Sequence, residues 1–125
     1  MKPCHFAALW VIACSAHAQT DSVLRTPVPD PRPLLIAAIE APSGAAHGVL
    51  TGGTADAITQ KFKSKTPIFI DVTTEKRYAQ AGCSRLKVLF WQDSVLLPGA
   101  TAPRKQTIEF GINYCRDGQP PRSLS

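Results

Sequence analysis

The sequence predicts a small α+β domain: a three- to four-stranded antiparallel sheet with one or two helices and one disulfide. Residues 68–73, 85–91 and 107–114 alternate apolar with mostly polar side chains, the pattern of strands with one buried face. Such one-sided strands are typical of antiparallel sheets. Cys83 and Cys115 are the two cysteines that remain once a predicted leader is removed, and an even pair in an exported chain predicts a disulfide.

Two segments before the first of these strands predict helices. Residues 34–41 (LLIAAIEA) are too uniformly apolar for periodicity to decide, and their alanine content favours a short helix. Residues 45–53 are glycine-rich and predict a connector, with a brief extended piece at 49–50. Thr54 is the predicted N-cap of a second helix over 55–63, which carries Asp56 in its first turn and ends before Pro67.

The cysteines also predict how the second and third strands pair. If Cys83 and Cys115 lie directly opposite each other in an antiparallel pair, every predicted core residue of one strand meets a core residue of the other, whereas a shift of one residue breaks the match. The predicted pairs are Leu86–Ile112, Val88–Phe110 and Phe90–Ile108. Residues 95–97, within the long connection between these strands, predict a short returning fourth strand.

Residues 1–18 predict an export signal. Lys2 precedes the apolar run 6–13 (FAALWVIA), and Ala16 and Ala18 are small residues at the two positions that a signal peptidase inspects. This run is too short to cross a bilayer as a helix, so no transmembrane segment is expected in the mature chain. An alternative is lipidation at Cys14, which would anchor the chain to a membrane. We favour ordinary secretion to the periplasm, because Val11 stands where lipoprotein signals prefer leucine.

Composition divides the rest of the chain into three parts. Residues 19–33 contain four alternating prolines and predict an extended spacer, or equally an unstructured N-terminal tail. Residues 34–117 form the predicted α+β domain, and residues 118–125 the predicted flexible tail.

The basic composition predicts contact with anionic partners. The chain has 14 Lys and Arg residues against 9 Asp and Glu residues, and loss of Lys2 with the leader leaves a net charge of +4. In a bacterial envelope such a charge favours anionic surfaces or acidic proteins. Only Lys61, Lys63 and Lys65 are closely grouped, and a dense basic face with interleaved aromatics is lacking, so no nucleic-acid partner is expected.

The mature chain has no recognisable catalytic or metal-binding pattern. His47 is its only histidine, no Gly-x-Ser-x-Gly motif is present, and two cysteines with one histidine fall short of a structural zinc site. We therefore expect no enzyme activity, no metal and no cofactor. The residues predicted to form a binding surface are His47, Lys61, Lys63, Lys65 and Trp91.

Three further features of the sequence each allow two interpretations. Asp71 and Glu109 share the polar sheet face, where ion pairs with Lys87 or Arg85 are expected rather than carboxylate catalysis. The turn at 52–54 before the second helix offers backbone donors to an anion, but it lacks the lysine and the length of a phosphate loop. Trp91, with Phe69 and Leu89, forms either an apolar patch for a partner or a second small core beneath residues 34–41, and we favour the core.

Residues 81–86 (AGCSRL) and 97–118, which include RKQTIEFGINYCRDG, resemble small exported proteins encoded among the transfer genes of bacterial conjugative plasmids and integrative elements. The resemblance covers the last third to half of the chain and carries over no functional residues. It implies an accessory role near a type IV secretion apparatus. We therefore expect a non-catalytic binding or structural module that belongs to an envelope protein complex. The alternative is a periplasmic inhibitor or a protein that binds a small ligand.

Overall fold

The structure, a computed structural model, describes residues 23–125. The predicted leader and the alternative lipidation at Cys14 lie outside these residues, and both stay predictions. The elements in chain order are β1 (Thr26–Val28), α1 (Arg32–Glu40), β2 (Ala45–Leu50), α2 (Gly53–Phe62), β3 (Ile68–Arg77), β4 (Cys83–Val95) and β5 (Arg104–Cys115). The α+β class with two helices and one disulfide is confirmed.

The sheet has five strands in the order β1-β2-β3-β4-β5 and is mixed, whereas three to four antiparallel strands were predicted. β1 pairs with β2 in parallel, and the other three pairs are antiparallel. The additional strands come from segments whose composition had predicted no regular pairing. Residues 45–50, the first part of the predicted glycine-rich connector, form β2. At Gly48 the lack of a side chain lets Leu34 and the carbonyl oxygen of Thr26 lie 2.6 Å and 2.8 Å from where a Cβ would stand.

The proline-rich stretch before residue 34 is packed where the structure describes it, which differs from the predicted spacer. Pro27 lies within β1, and an edge strand tolerates proline because one side of its backbone needs no ladder partner. Val28 is almost completely buried in the core. The backbone N–H and the guanidinium of Arg32 both donate to the Asp30 carboxylate, which holds the start of α1. β1, α1 and β2 together form a β-α-β unit.

The predicted pairing of β4 with β5 is confirmed. Cys83 lies opposite Cys115 and the two form a disulfide, and the same register places Leu86, Val88 and Phe90 opposite Ile112, Phe110 and Ile108. The predicted separate strand at 95–97 was wrong. β4 instead continues to Val95, which pairs with Arg104 after an irregularity in the ladder, and residues 96–97 lie in the loop.

The core lies between α1 and one face of the sheet, the covered face. Leu34, Leu35, Ala38 and Ile39 repeat along one side of α1 and pack against the even-numbered apolar residues of the central strands. Those strand residues are Ile68, Ile70, Val72, Leu86 and Val88. The predicted second core beneath residues 34–41 was therefore wrong, because α1 packs on the opposite side of the sheet from Phe69, Leu89 and Trp91.

The predicted burial of β5 was only partly right. Ile108 is 67 % exposed and Phe110 is 44 % exposed, although both point to the covered face. The reason is that α1 has only 9 residues and its buried side chains cluster over the central strands, while α2 buries no residue fully. Ala55 and Ile58 of α2 pack against the core from its margin. The helix begins at Gly53 with Gly52 as its N-cap, so the predicted capping by Thr54 was also wrong.

Candidate functional site

Asp71 is the centre of a polar cluster on the second face of the sheet, the open face. It lies in the middle of β3, directly opposite His47 of β2 and Leu89 of β4. Its Oδ1 atom accepts hydrogen bonds from His47 Nδ1 at 2.7 Å and from an Arg25 guanidinium nitrogen at 2.9 Å. Its Oδ2 atom accepts one from Trp91 Nε1 at 2.8 Å. One carboxylate thus fixes three side chains from three separate parts of the chain.

Arg25 is attached to this cluster by more than its ion pair. The same guanidinium nitrogen donates to the carbonyl of Gly48 at 3.1 Å, and the guanidinium carbon lies 4.1 Å from the centroid of the Phe69 ring. The Arg25 side chain is only 15 % exposed, so the ion pair with Asp71 is largely shielded from water. The segment before β1 is therefore fastened across the open face.

The aromatic part of the cluster consists of Phe69 and Trp91, whose ring centroids are 4.5 Å apart. The ammonium of Lys105 on β5 lies 4.4 Å from the centroid of a Trp91 ring, and the Arg25 guanidinium lies 5.5 Å from it. Two cations from opposite edges of the sheet thus border one aromatic pair. We call Arg25, His47, Phe69, Asp71, Trp91 and Lys105 the Asp71 cluster.

The charge state of Asp71 follows from two opposed effects. Burial disfavours its ionised form, but the hydrogen bonds from His47, Arg25 and Trp91, together with the positive charge of Arg25, outweigh burial. The pKa of Asp71 is therefore held below its ordinary value, and at neutral pH the cluster contains a carboxylate.

The same carboxylate orients His47. Donation from Nδ1 to a carboxylate leaves Nε2 of a neutral imidazole as the acceptor, and the side chain is 34 % exposed. Within residues 23–125, no hydrogen bond to Nε2 is formed. A His–Asp pair can serve a nucleophile as its base, but such catalysis also requires a serine, threonine or cysteine beside the imidazole. Among the described residues, no serine, threonine or cysteine hydrogen-bonds to His47, whose ring is oriented by Asp71.

The structure brings together some of the predicted site residues and separates others. His47 and Trp91 meet through Asp71. Lys61, Lys63 and Lys65 instead belong to the last turn of α2 and the segment after it, and the Lys61 ammonium lies over the ring of Phe62. Asp71 and Glu109 do share the open face, with Leu89 between them in one cross-strand row.

Sequence reasoning missed the partner of Asp71. Lys87 or Arg85 was expected to pair with it, and the structure shows Arg25 instead. Arg25 lies 46 positions before Asp71 in a segment whose prolines indicated a spacer, so no local pattern connected the two residues. Arg85 donates to the side-chain oxygen of Asn113 at 3.3 Å. The anion site predicted at residues 52–54 stays a prediction.

Two concave regions lie on the surface of the described residues. One, of about 340 Å³, lies beside the disulfide and is bordered by Glu40, Arg77, Tyr78 and Arg116. The other is an apolar groove of about 250 Å³ between α2, the C-terminal end of β4 and the N-terminal end of β5, with Ile58, Phe90 and Ile108 in its lining. Residues 23–125 contain no group of three or more His, Cys, Asp and Glu side chains that could hold a metal ion.

No helix in the described part of the chain is long and apolar enough to cross a membrane. Comparison of the whole sequence and structure with known proteins gave no match to any family model, curated protein or solved structure. The described residues form a disulfide-linked α+β domain in which a helix covers one face of the sheet and the other face carries the Asp71 cluster.

Proposed function

We propose that this protein is an exported, non-catalytic binding module of the bacterial envelope, and that it binds a protein partner through the open face of its sheet. The observation that carries the proposal is the Asp71 cluster. One carboxylate holds a cation, an imidazole and an indole in fixed positions on a sheet face that neither α1 nor α2 covers. Preorganised aromatic and cationic side chains of this kind are enriched at protein interfaces.

The export of the chain is supported by the disulfide and by the predicted leader. Cys83 and Cys115 are each 3 % exposed, and their bond joins the first residue of β4 to the last residue of β5. Structural disulfides form and persist in oxidising compartments such as the periplasm. A free periplasmic chain and a chain tethered at Cys14 would present the same open face.

The chemistry of the face favours a partner with an acidic and partly apolar surface. Phe69, Leu89 and Trp91 are half-buried and form its apolar centre, and Lys87 and Lys105 stand on the neighbouring strand positions. The charge of Asp71 is already balanced by Arg25, and Arg85, Lys87 and Lys105 outnumber Glu109 on this face, so the open face carries an excess of positive charge. The resemblance to exported proteins of conjugative transfer systems supports a partner within that machinery.

A donor mating assay tests this proposal. A strain that lacks the gene is complemented with the wild-type chain, with a K87E/L89D variant that reverses charge and polarity at the centre of the open face, or with a K63E/K65D control at the end of α2. We expect the wild type and the control to restore transfer frequency and to co-migrate with an envelope complex on native gels, whereas K87E/L89D does neither. Circular dichroism of each purified variant checks that it is folded.

Two results would contradict the proposal. Full complementation by a folded K87E/L89D variant would exclude the open face as the binding surface. A deletion strain with unchanged transfer frequency would exclude a role in conjugation, and the co-migration arm would then still report whether a partner is bound.

A small-ligand-binding role is the second candidate, favoured by the apolar groove beside α2. Its volume of about 250 Å³ is just below the ~300–1,000 Å³ usual for small-molecule sites, which makes it the weaker proposal. Saturable binding of the apolar fluorophore ANS to the folded wild type, abolished in an I58D variant, would support it. Equal fluorescence from the two folded proteins would count against it, and so would a lack of saturation.

A further inference from the structure

β5 is a long edge strand, with no further strand beside it among residues 23–125. It is last in the strand order, has 12 residues, and is exposed without interruption from Thr107 to Gly111. Natural proteins usually protect such an edge, because a row of unpaired N–H and C=O groups accepts another strand. The described residues place no charged side chain on the covered-face side between Gln106 and Tyr114, where Ile108 and Phe110 are exposed.

The hydrogen bonds around the disulfide show which groups of β5 face outward. The N–H of Arg116 donates to the carbonyl of Gly82 at 2.9 Å, which marks Cys83–Cys115 as a non-hydrogen-bonded pair of the antiparallel ladder. Every second residue counted back from Cys115 therefore directs its N–H and C=O away from β4. These residues include Lys105, Thr107, Glu109 and Gly111, and their side chains point to the open face.

One end of this edge is already closed by the chain itself. The outward N–H of Cys115 donates to the carbonyl of Gln119 at 3.1 Å, and its carbonyl accepts from Gly118 at 2.9 Å. The turn after β5 thus occupies the edge at its C-terminal end. An added strand has free backbone groups only along the earlier part of β5.

The charges along this free part are self-complementary. In an antiparallel pair of two β5 strands with Thr107 opposite Thr107, Lys105 of each copy lies opposite Glu109 of the other. A pairing centred on Glu109 would place two carboxylates together, and one centred on Gly111 would run into the closed end at Cys115. Thr107 opposite Thr107 is therefore the register in which the lysine of each copy meets the carboxylate of the other.

We propose that two copies of this chain pair along β5, with the two-fold axis at Thr107, and that their sheets join into one continuous sheet. Lys105, Thr107 and Glu109 would then exchange backbone hydrogen bonds across the axis. On the covered face, the Ile108 side chains of the two copies become diagonal neighbours, which shields the most exposed large apolar side chain of the strands. The pairing also leaves the Asp71 cluster on a face shared by both copies.

Sedimentation velocity of the mature chain, over a concentration series at low and high salt, tests the proposal. We expect the wild type to dimerise reversibly and the dissociation constant to rise with salt, because the ion pairs are exposed. E109K places lysine opposite lysine at two symmetric positions and is expected to weaken dimerisation by at least about tenfold. The charge-swapped K105E/E109K variant should return the dissociation constant to within about threefold of wild type.

A proline and a distant charge variant serve as controls. T107P removes an N–H that faces away from β4, so the fold should persist while the dimer is lost. E75K makes the same charge change as E109K on an exposed position of β3 and should leave dimerisation unchanged.

Three outcomes would overturn the inference. They are a wild-type chain that stays monomeric at every concentration, a dimer that is insensitive to T107P, and a failure of K105E/E109K to rescue E109K. Circular dichroism of each variant separates loss of the dimer from loss of the fold. Because the test reads only the association of this chain with itself, its result does not depend on the proposed envelope partner.

Discussion

Replacing Asp71 by asparagine removes one negative charge from the centre of the cluster while it preserves the size of the side chain. The carboxylate accepts hydrogen bonds from His47, Arg25 and Trp91, and its own side chain is 20 % exposed. Asparagine keeps a single acceptor oxygen, so in either amide orientation an N–H₂ group must face a former donor. The Arg25 guanidinium, 15 % exposed, also loses its counter-charge.

The magnitude follows from these lost contacts. A hydrogen bond to a charged group contributes about 1.5–3 kcal/mol, and leaving a neutral donor such as the Trp91 indole unpaired costs about 1–3 kcal/mol. Because the side chains of Arg25 and Asp71 keep some contact with water, the lower ends of these ranges apply. We therefore expect D71N to lower the free energy of unfolding by about 2–3 kcal/mol. For a domain of about 100 residues, this corresponds to a fall in Tm of about 10–20 °C.

The assay is equilibrium unfolding in guanidinium chloride at pH 7, followed by far-ultraviolet circular dichroism. The matched control is E75Q, which neutralises an exposed carboxylate on the same strand and should stay within about 0.5 kcal/mol of wild type. If D71N also stays within about 0.5 kcal/mol, the Asp71 cluster does not hold the open face together. The preorganisation on which the proposed function depends would then be refuted.

Three further predictions address the same fold. Acidification should destabilise the wild type more than D71N. The pKa of Asp71 is lowered in the folded state, so its carboxylate stabilises the fold at pH values above its ordinary pKa of roughly 3.9, and this contribution is lost as the pH falls through the lowered pKa. Parallel pH–stability curves for the two proteins would contradict this. C83S should lower the free energy of unfolding by about 3–4 kcal/mol and reduce the yield of exported protein, since the disulfide closes a loop with a sequence separation of 32; an unchanged melting temperature would count against it. G48A should cost about 1–3 kcal/mol, because its Cβ would stand 2.6 Å from Leu34 and 2.8 Å from a backbone oxygen. The control G53A, which meets no atom within 4 Å in α2, should be neutral or stabilising by up to about 1 kcal/mol.

The two sheet faces differ in what they contribute. The covered face holds most of the buried apolar side chains and gives the domain its stability. The open face holds its shape through polar and cation–aromatic contacts, which are directional and keep individual side chains in place. A substitution at Lys87 or Leu89 can therefore alter binding while the core remains intact, which is why the mating assay uses these positions.

The sequence by itself determined the local features of the sheet. Alternation of apolar and polar residues identified β3, β4 and β5, and the match of Cys83 with Cys115 identified the β4–β5 register, now confirmed. Both are readable because side chains in a strand alternate with a period of two, so a wrong register would invert every residue of the pair. Residues 45–50 were not predicted as a strand, because small residues such as alanine and glycine do not show whether a position is apolar or polar, so no alternation is visible.

Only the tertiary structure decided which side of the sheet is covered and what Asp71 binds. Alternation of side chains along a strand separates the two faces of the sheet, but the length and position of α1 determine how many residues of one face are buried. That length and position leave Ile108 and Phe110 exposed. The ion pair of Asp71 with Arg25 depends on β1 adding in parallel beside β2, which brings together residues 46 positions apart. Contacts between such distant segments follow from how whole elements pack, and no local pattern in the chain encodes them.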